Sequence, residues 1–205
     1  MGIAKVPAIL VAAILWGLLD SACATEQDPA PSGQTPTPRK NKIEEFIARK
    51  GVVLVERMYS IKTFTWREGQ EGRVALAVSA MHAYEADRKS QAVYAVRFEG
   101  QPFQGVSISA LLDLPSAQAL LTALEKMIAQ AKENASTSPE FLEVKFSLGD
   151  SFQCGFDQQG TLQRPFLVLG GDISRTIRSH RLSDLEELKG AVALEIEKLK
   201  ELGAN

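Results

Sequence analysis

The chain has 205 residues, 45% of them apolar and 23% charged, with 25 acidic against 23 basic side chains and a formal net charge of −2. That balance is ordinary for a globular fold with its own core, and it lacks the strongly basic surplus that nucleic-acid binding draws on. Two cysteines and two histidines leave little material for a disulfide framework or a metal centre.

Lys5 precedes an apolar run over residues 6–19, followed by the small and polar residues Asp20, Ser21, Ala22, Cys23 and Ala24. This is the layout of a secretory signal peptide, and the run falls short of the roughly 20 apolar residues that a spanning helix needs. Residues 1–24 are therefore read as a signal peptide. Ala22, Cys23 and Ala24 fit an A-x-A cleavage that frees a chain starting at Thr25. Ser21, Ala22 and Cys23 fit the end of a lipobox with Cys23 as the candidate lipidation site, although Asp20 stands where that motif takes an aliphatic residue. Both readings stay open, as does an uncleaved anchor. The expected location is exported, periplasmic or extracellular, with the membrane reached through a lipid on Cys23. Residues 25–40 hold four prolines and no large apolar side chain, which predicts a disordered tether, and residues 41–205 are read as a single globular domain.

The domain opens with a helix capped by Asn41, with Glu44 completing a capping box; Ile43, Phe46 and Ile47 form its apolar face and Gly51 ends it. Residues 52–66 read as a strand or a bent pair, residues 69–72 as a turn, and residues 73–84 as a second strand. On that second strand Val74, Leu76, Val78, Ala80, His82 and Tyr84 share one face. Residues 86–90 make a polar turn, residues 91–99 a third strand and residues 104–112 a fourth. Asp113 and Pro115 then start a helix on which Leu120, Leu121, Leu124, Met127, Ile128 and Ala131 recur at helical spacing.

The second half repeats this order. Leu142, Val144, Phe146 and Leu148 alternate with polar residues, Gly149 and Asp150 turn the chain, and Phe152, Cys154 and Phe156 alternate back. Residues 166–169 are apolar on both faces, as befits a central strand covered on both sides. A turn at Gly170, Gly171 and Asp172 leads into a short basic strand over residues 173–181. Ser183 and Glu186 form a second capping box, and Leu185, Leu188, Val192, Ile196, Leu199 and Leu202 stripe the last helix. Ser116 and Ser183 stand at corresponding helix starts, and Gly100 and Gly170 at corresponding strand ends, at nearly constant spacing. The pattern predicts an α+β fold: duplicated ββββα units, residues 52–134 and 140–203, forming antiparallel sheets or a partly closed barrel packed by two long amphipathic helices.

Chemistry-bearing signals are sparse. Gly170, Gly171 and Asp172 lack the Gly-Lys-Ser/Thr continuation of a phosphate loop. Cys154, between two phenylalanines, reads as a buried inert thiol. Tyr59, Phe64, Trp66 and Phe103 read as strand packing before they read as a groove. His82 and His180 have no metal-ligating neighbours at diagnostic spacing, and no cofactor motif is present. The cluster Arg175, Arg178, His180 and Arg181 is the candidate anion-binding site; on an edge strand the same charges also deter strand addition.

These signals point to an exported, non-catalytic binding or interaction module of a bacterial-type cell envelope, with an envelope protein or an anionic ligand as partner and no nucleic acid. The alternative is an extracytoplasmic hydrolase that uses His82 or His180 as general base, oriented by Asp87 or Glu85, or by Asp184.

Overall fold

A computed structural model describes residues 42–68, 72–101, 107–171 and 176–204. Residues 1–41, which include Cys23 and Asn41, and Phe103 and Arg175 lie outside the described residues, as do residues 69–71 of the first turn and residues 173–175 of the predicted basic strand; of the rest of that strand, residues 176–181, only Ile177–Arg178 is paired as β8.

The element order is α1 (Lys42–Ile47), β1 (Leu54–Glu68), β2 (Gly72–Glu85), β3 (Arg88–Gln101), β4 (Ile108–Leu112), α2 (Leu114–Asn134), β5 (Leu142–Leu148), β6 (Phe152–Gln159), β7 (Leu162–Leu169), β8 (Ile177–Arg178) and α3 (Ser183–Glu201). The protein is α+β. Among the described residues the strands form two separate four-stranded antiparallel sheets, β1-β2-β3-β4 and β5-β6-β7-β8, each in sequence order, and no closed barrel. The reason is local. Within each sheet successive strands are joined by a turn or a short connection, so each meander closes its hydrogen bonds before the chain moves on into a helix.

Alternation builds the core. On β2, Val74, Leu76, Val78 and Ala80 are buried, opposite Trp66 and Phe64 of β1 and Val96 and Phe98 of β3. On the second sheet, Phe152, Cys154 and Phe156 of β6 and Leu167 and Leu169 of β7 face the same cluster. The Phe98 and Phe152 rings meet across the sheets at 5.0 Å, tilted by 58°, and fully burying a side chain of this size contributes about 1.5–3 kcal/mol. Residues 165–169 of β7 are all buried, as expected of an interior strand. Gly155 lets Phe166 lie across β6: a Cβ there would run into the Val144 carbonyl oxygen and stand 2.9 Å from Lys145 Cα.

The helices join the same core. Leu120, Leu124, Met127, Ile128 and Ala131 of α2 and Leu185, Leu188, Val192, Ile196 and Leu199 of α3 are buried in it, while Leu121 and Leu202 sit at its margin. α3 packs on β1, β2 and β3, and α2 packs on β5 and β6 as well as on β3 and β4. A second, smaller cluster lies on the other face of the first sheet, where Ile43 and Phe46 of α1 cover Met81, Ala83 and Ala95.

Several boundaries differ from the sequence reading. α1 ends at Ile47, four residues before Gly51. The β2–β3 turn is only residues 86–87, because β3 begins at Arg88 and pairs at once with Glu85. Asp113 does cap α2, its Oδ1 accepting the Ser116 N–H at 2.9 Å. The Ser183–Glu186 capping box does not form: Leu182 is the N-cap residue, without a side-chain cap bond. Asp184 is engaged instead, accepting from the Ser179 hydroxyl and paired with Arg181 at 2.7 Å, and Glu186 reaches Lys132 of α2 at 2.7 Å.

Candidate functional site

β1 changes face partway along. Tyr59 opposes Ala80 but the next pair is Lys62 and Val78, so the Ser60–Ile61 step inserts one extra residue, with Ser60 at φ 49°. A bulge of this kind reverses which residues point to which face. Trp66, Phe64 and Lys62 share the core face on one side of it; Tyr59, Arg57 and Val55 share that face on the other.

The register then sets Arg57 of β1 beside His82 of β2 and His82 beside Tyr94 of β3. This row lies one step beyond Ala80 and Val96, where the core face runs out toward solvent. The His82 and Tyr94 rings are stacked, 4.8 Å apart and 6° from parallel. Tyr84 lies 5.2 Å from His82 at 39°, and the Arg57 guanidinium is 5.9 Å from the Tyr84 ring. Arg57 is exposed, His82 and Tyr94 are partly exposed and Tyr84 is buried. Partial burial, and secondarily the Arg57 charge, hold the His82 pKa below its ordinary value, so the ring is neutral at neutral pH. Arg57 forms no ion pair among the described residues. All three tyrosines of the chain, Tyr59, Tyr84 and Tyr94, stand on this face around one histidine and one arginine.

The carboxylates expected to orient His82 are elsewhere. Glu85 points to the opposite face, bound by Arg49 at 2.6 Å with Arg88 at 3.9 Å, because residues 82 and 85 fall on opposite sides of a pleated strand. Asp87 is exposed in the turn.

The basic cluster is divided between partners. Arg178 pairs with Asp157 of β6, which also accepts from Arg164 Nε at 2.6 Å. Arg181 pairs with Asp184 on α3. His180 is exposed in the bend between them. Arg178 and Arg181 are thus held by carboxylates on different elements. Asp157 was not legible in the sequence as the counterpart of Arg178 because it lies on β6, two strands away from β8 in the sheet.

One buried acid stands out. Glu195 of α3 is 0% exposed; its Oε2 accepts the Ala80 N–H at 2.9 Å beside the β1 bulge, and its Oε1 has no hydrogen-bond partner. Burial pushes its pKa up to about 7, against the opposing pull of the Ala80 bond, Lys62 and Lys198. Just outside, a cleft of about 330 Å³ lies between Ser60 and the Leu194–Lys198 side of α3. Cys154 is fully buried and its thiol is pushed up to about 12, which makes it a poor nucleophile. Among the described residues no group of three or more His, Cys, Asp or Glu side chains could hold a metal ion, and no helix is long and apolar enough to cross a membrane.

What the fold and this geometry define is a two-sheet α+β protein with a polar, ring-supported row across β1, β2 and β3. No protein-family model matches the chain, and no curated protein sequence matches it.

Proposed function

We propose that the chain is an exported, non-catalytic binding module of a bacterial-type cell envelope, reaching its ligand on the tether of residues 25–40 and engaging it through the Arg57–His82–Tyr94 row. The observation that carries this reading is the row itself: a guanidinium with no ion pair among the described residues and two stacked polar rings, one per strand, at the solvent margin of the core. A cation on a strand that only shielded the sheet would gain by pairing with a carboxylate, as Arg178 and Arg181 do. Stacked, partly exposed rings are already ordered, so little side-chain entropy is lost when they contact a ligand.

In the same reading the two ββββα halves are internal repeats. Support comes from the identical element order and from the in-sequence strand order of both sheets. Gly100 and Gly170 occupy similar places for different reasons: a Cβ on Gly100 would meet Ile177 Cδ1 at 2.6 Å, whereas Gly170 takes φ +72°.

The test is co-sedimentation of the mature protein with isolated bacterial envelopes, comparing the native chain with an Arg57→Ala/Tyr94→Ala double variant. Retention of the native chain and a loss of about tenfold or more in the variant is expected. No retention of the native chain, or equal retention of both, would overturn the reading.

A further inference from the structure

We propose that the Arg57–His82–Tyr94 row is an oxyanion site that takes a carboxylate or phosphate group; this rests on the binding-module reading and names its ligand chemistry. All three side chains donate. Arg57 offers a forked guanidinium, neutral His82 one ring N–H and Tyr94 a phenolic O–H. Neighbouring strands stand about 4.8 Å apart, so the three tips span roughly 10 Å in a line. That suits an anionic group bound by Arg57 with a second oxygen turned toward His82, its neighbour in the row, and Tyr94 standing at the far end, within reach of a further group on the same ligand. Tyr84, buried beside His82 and under Arg57, fixes one side of the row, and the parallel Tyr94 ring fixes the other.

The charge pattern agrees. The groups facing His82 are Arg57 from β1, Tyr94 from β3 and Tyr84 from its own strand. From α3, Glu195 and Lys198 face Ala80 and Tyr59, one register step further into the core. No carboxylate of the described residues competes for Arg57 through an ion pair. A bound oxyanion would offset the Arg57 charge and draw a proton onto His82. Ligand binding should therefore raise the pH at which His82 titrates, and affinity should rise as pH falls.

The experiment follows the ring C–H signals of His82 in the mature protein by NMR across pH 5–8. It is run alone, with inorganic phosphate, with polyphosphate and with polygalacturonate, for the native chain and for Arg57→Gln. His180, the other histidine, serves as internal reference. The expected result is an upward move of the His82 midpoint by about half a pH unit or more in the native chain, with His180 still and Arg57→Gln unresponsive. A response to inorganic phosphate assigns the site to the free ion, and a response only to the polymers assigns it to a polymer-borne group; both support an oxyanion site. No response to any probe, or an equal response in Arg57→Gln, overturns it. If envelope retention survives Arg57→Gln while His82 stays unmoved, the oxyanion site falls and the binding module stands. If the native chain is not retained on envelopes, the binding module falls whatever His82 does.

Discussion

A single inserted residue decides what the first sheet can do. From the alternation Trp66, Phe64, Lys62, the core face of β1 would continue through Ser60 and Met58; the bulge at Ser60 and Ile61 hands it to Tyr59 and Arg57 instead. The same irregularity lies beside the Ala80 N–H that Glu195 accepts. Glu195 gives a signed pH prediction. Its pKa in the fold, about 7, lies above the ordinary 4.5, so the folded state holds a proton that the unfolded chain has released between those values. The stability this group contributes is complete below pH 4.5 and is lost as pH rises through 7. Urea unfolding of the native chain and Glu195→Gln, compared at pH 4.5 and pH 8, should show the native chain losing about 3 kcal/mol relative to the variant over that span; parallel pH curves would remove the effect. Gly155 gives a steric one. Gly155→Ala places a methyl group against the Val144 carbonyl, and a loss of about 3 kcal/mol or more, or failure to fold, is expected in the same measurement.

At the scale of elements, the start of α2 follows its local capping pattern, but its C-terminal end is closed by side chains distant in sequence. The Gln158 side chain donates to the carbonyls of Asn134, Thr137 and Gly160 at 2.9–3.1 Å, and Gln163 donates to Ala131 O at 2.7 Å. Two strand residues of the second sheet thus close the C-terminal end of α2. At the start of α3, Asp184 is 1% exposed and held by Ser179 and Arg181, while Ser183 makes no cap bond. Thermal unfolding should therefore separate two neighbours. Ser183→Ala should stay within about 0.5 kcal/mol of the native chain, whereas Asp184→Ala should cost roughly 2–3 kcal/mol, because it strips a buried hydroxyl and a guanidinium of their acceptor. The reverse order would restore the local capping box.

At the scale of the whole molecule, one buried cluster contains residues from both sheets and both long helices. Ties between the halves run both ways: Glu195 to Ala80, Gln163 to Ala131 and Lys132 to Glu186. The described residues should unfold in one transition. Trp66, buried in the first sheet, is the only tryptophan beyond residue 16, so in a chain that starts at Thr25 its fluorescence reports that sheet. Phe156→Ala in the second sheet should cost about 3–5 kcal/mol and move the Trp66 transition together with the far-ultraviolet circular dichroism; separate transitions would mean that the sheets fold independently. Intact mass of the mature chain tests the proposed export: a start at Thr25 means simple cleavage, a start at Cys23 carrying acyl chains means a lipid anchor, and an uncut chain would overturn the signal-peptide reading.

The order of strands and helices was legible in the sequence because it depends on local periodicity. Period-two runs such as Leu142, Val144, Phe146 and Leu148 and the helical spacing of Leu120, Leu124, Met127 and Ile128 belong to their own segments, whatever they later pack against. The buried state of Cys154 and the central place of residues 166–169 followed from the same patterns. What depended on pairing between segments was not legible. A bulge is visible only against its partner strand, so Arg57 gave no sign of standing beside His82, nor Tyr94 of stacking on it. Asp157 could not be matched to Arg178 until tertiary contact brought together charges on different elements, whereas the partners of Asp184, Ser179 and Arg181, lie within five residues of it in a stretch that the Ser183–Glu186 capping pattern also fits. Element type is set by side chains a few residues apart; register, face and ion pairing are set by side chains that meet only after the chain has folded.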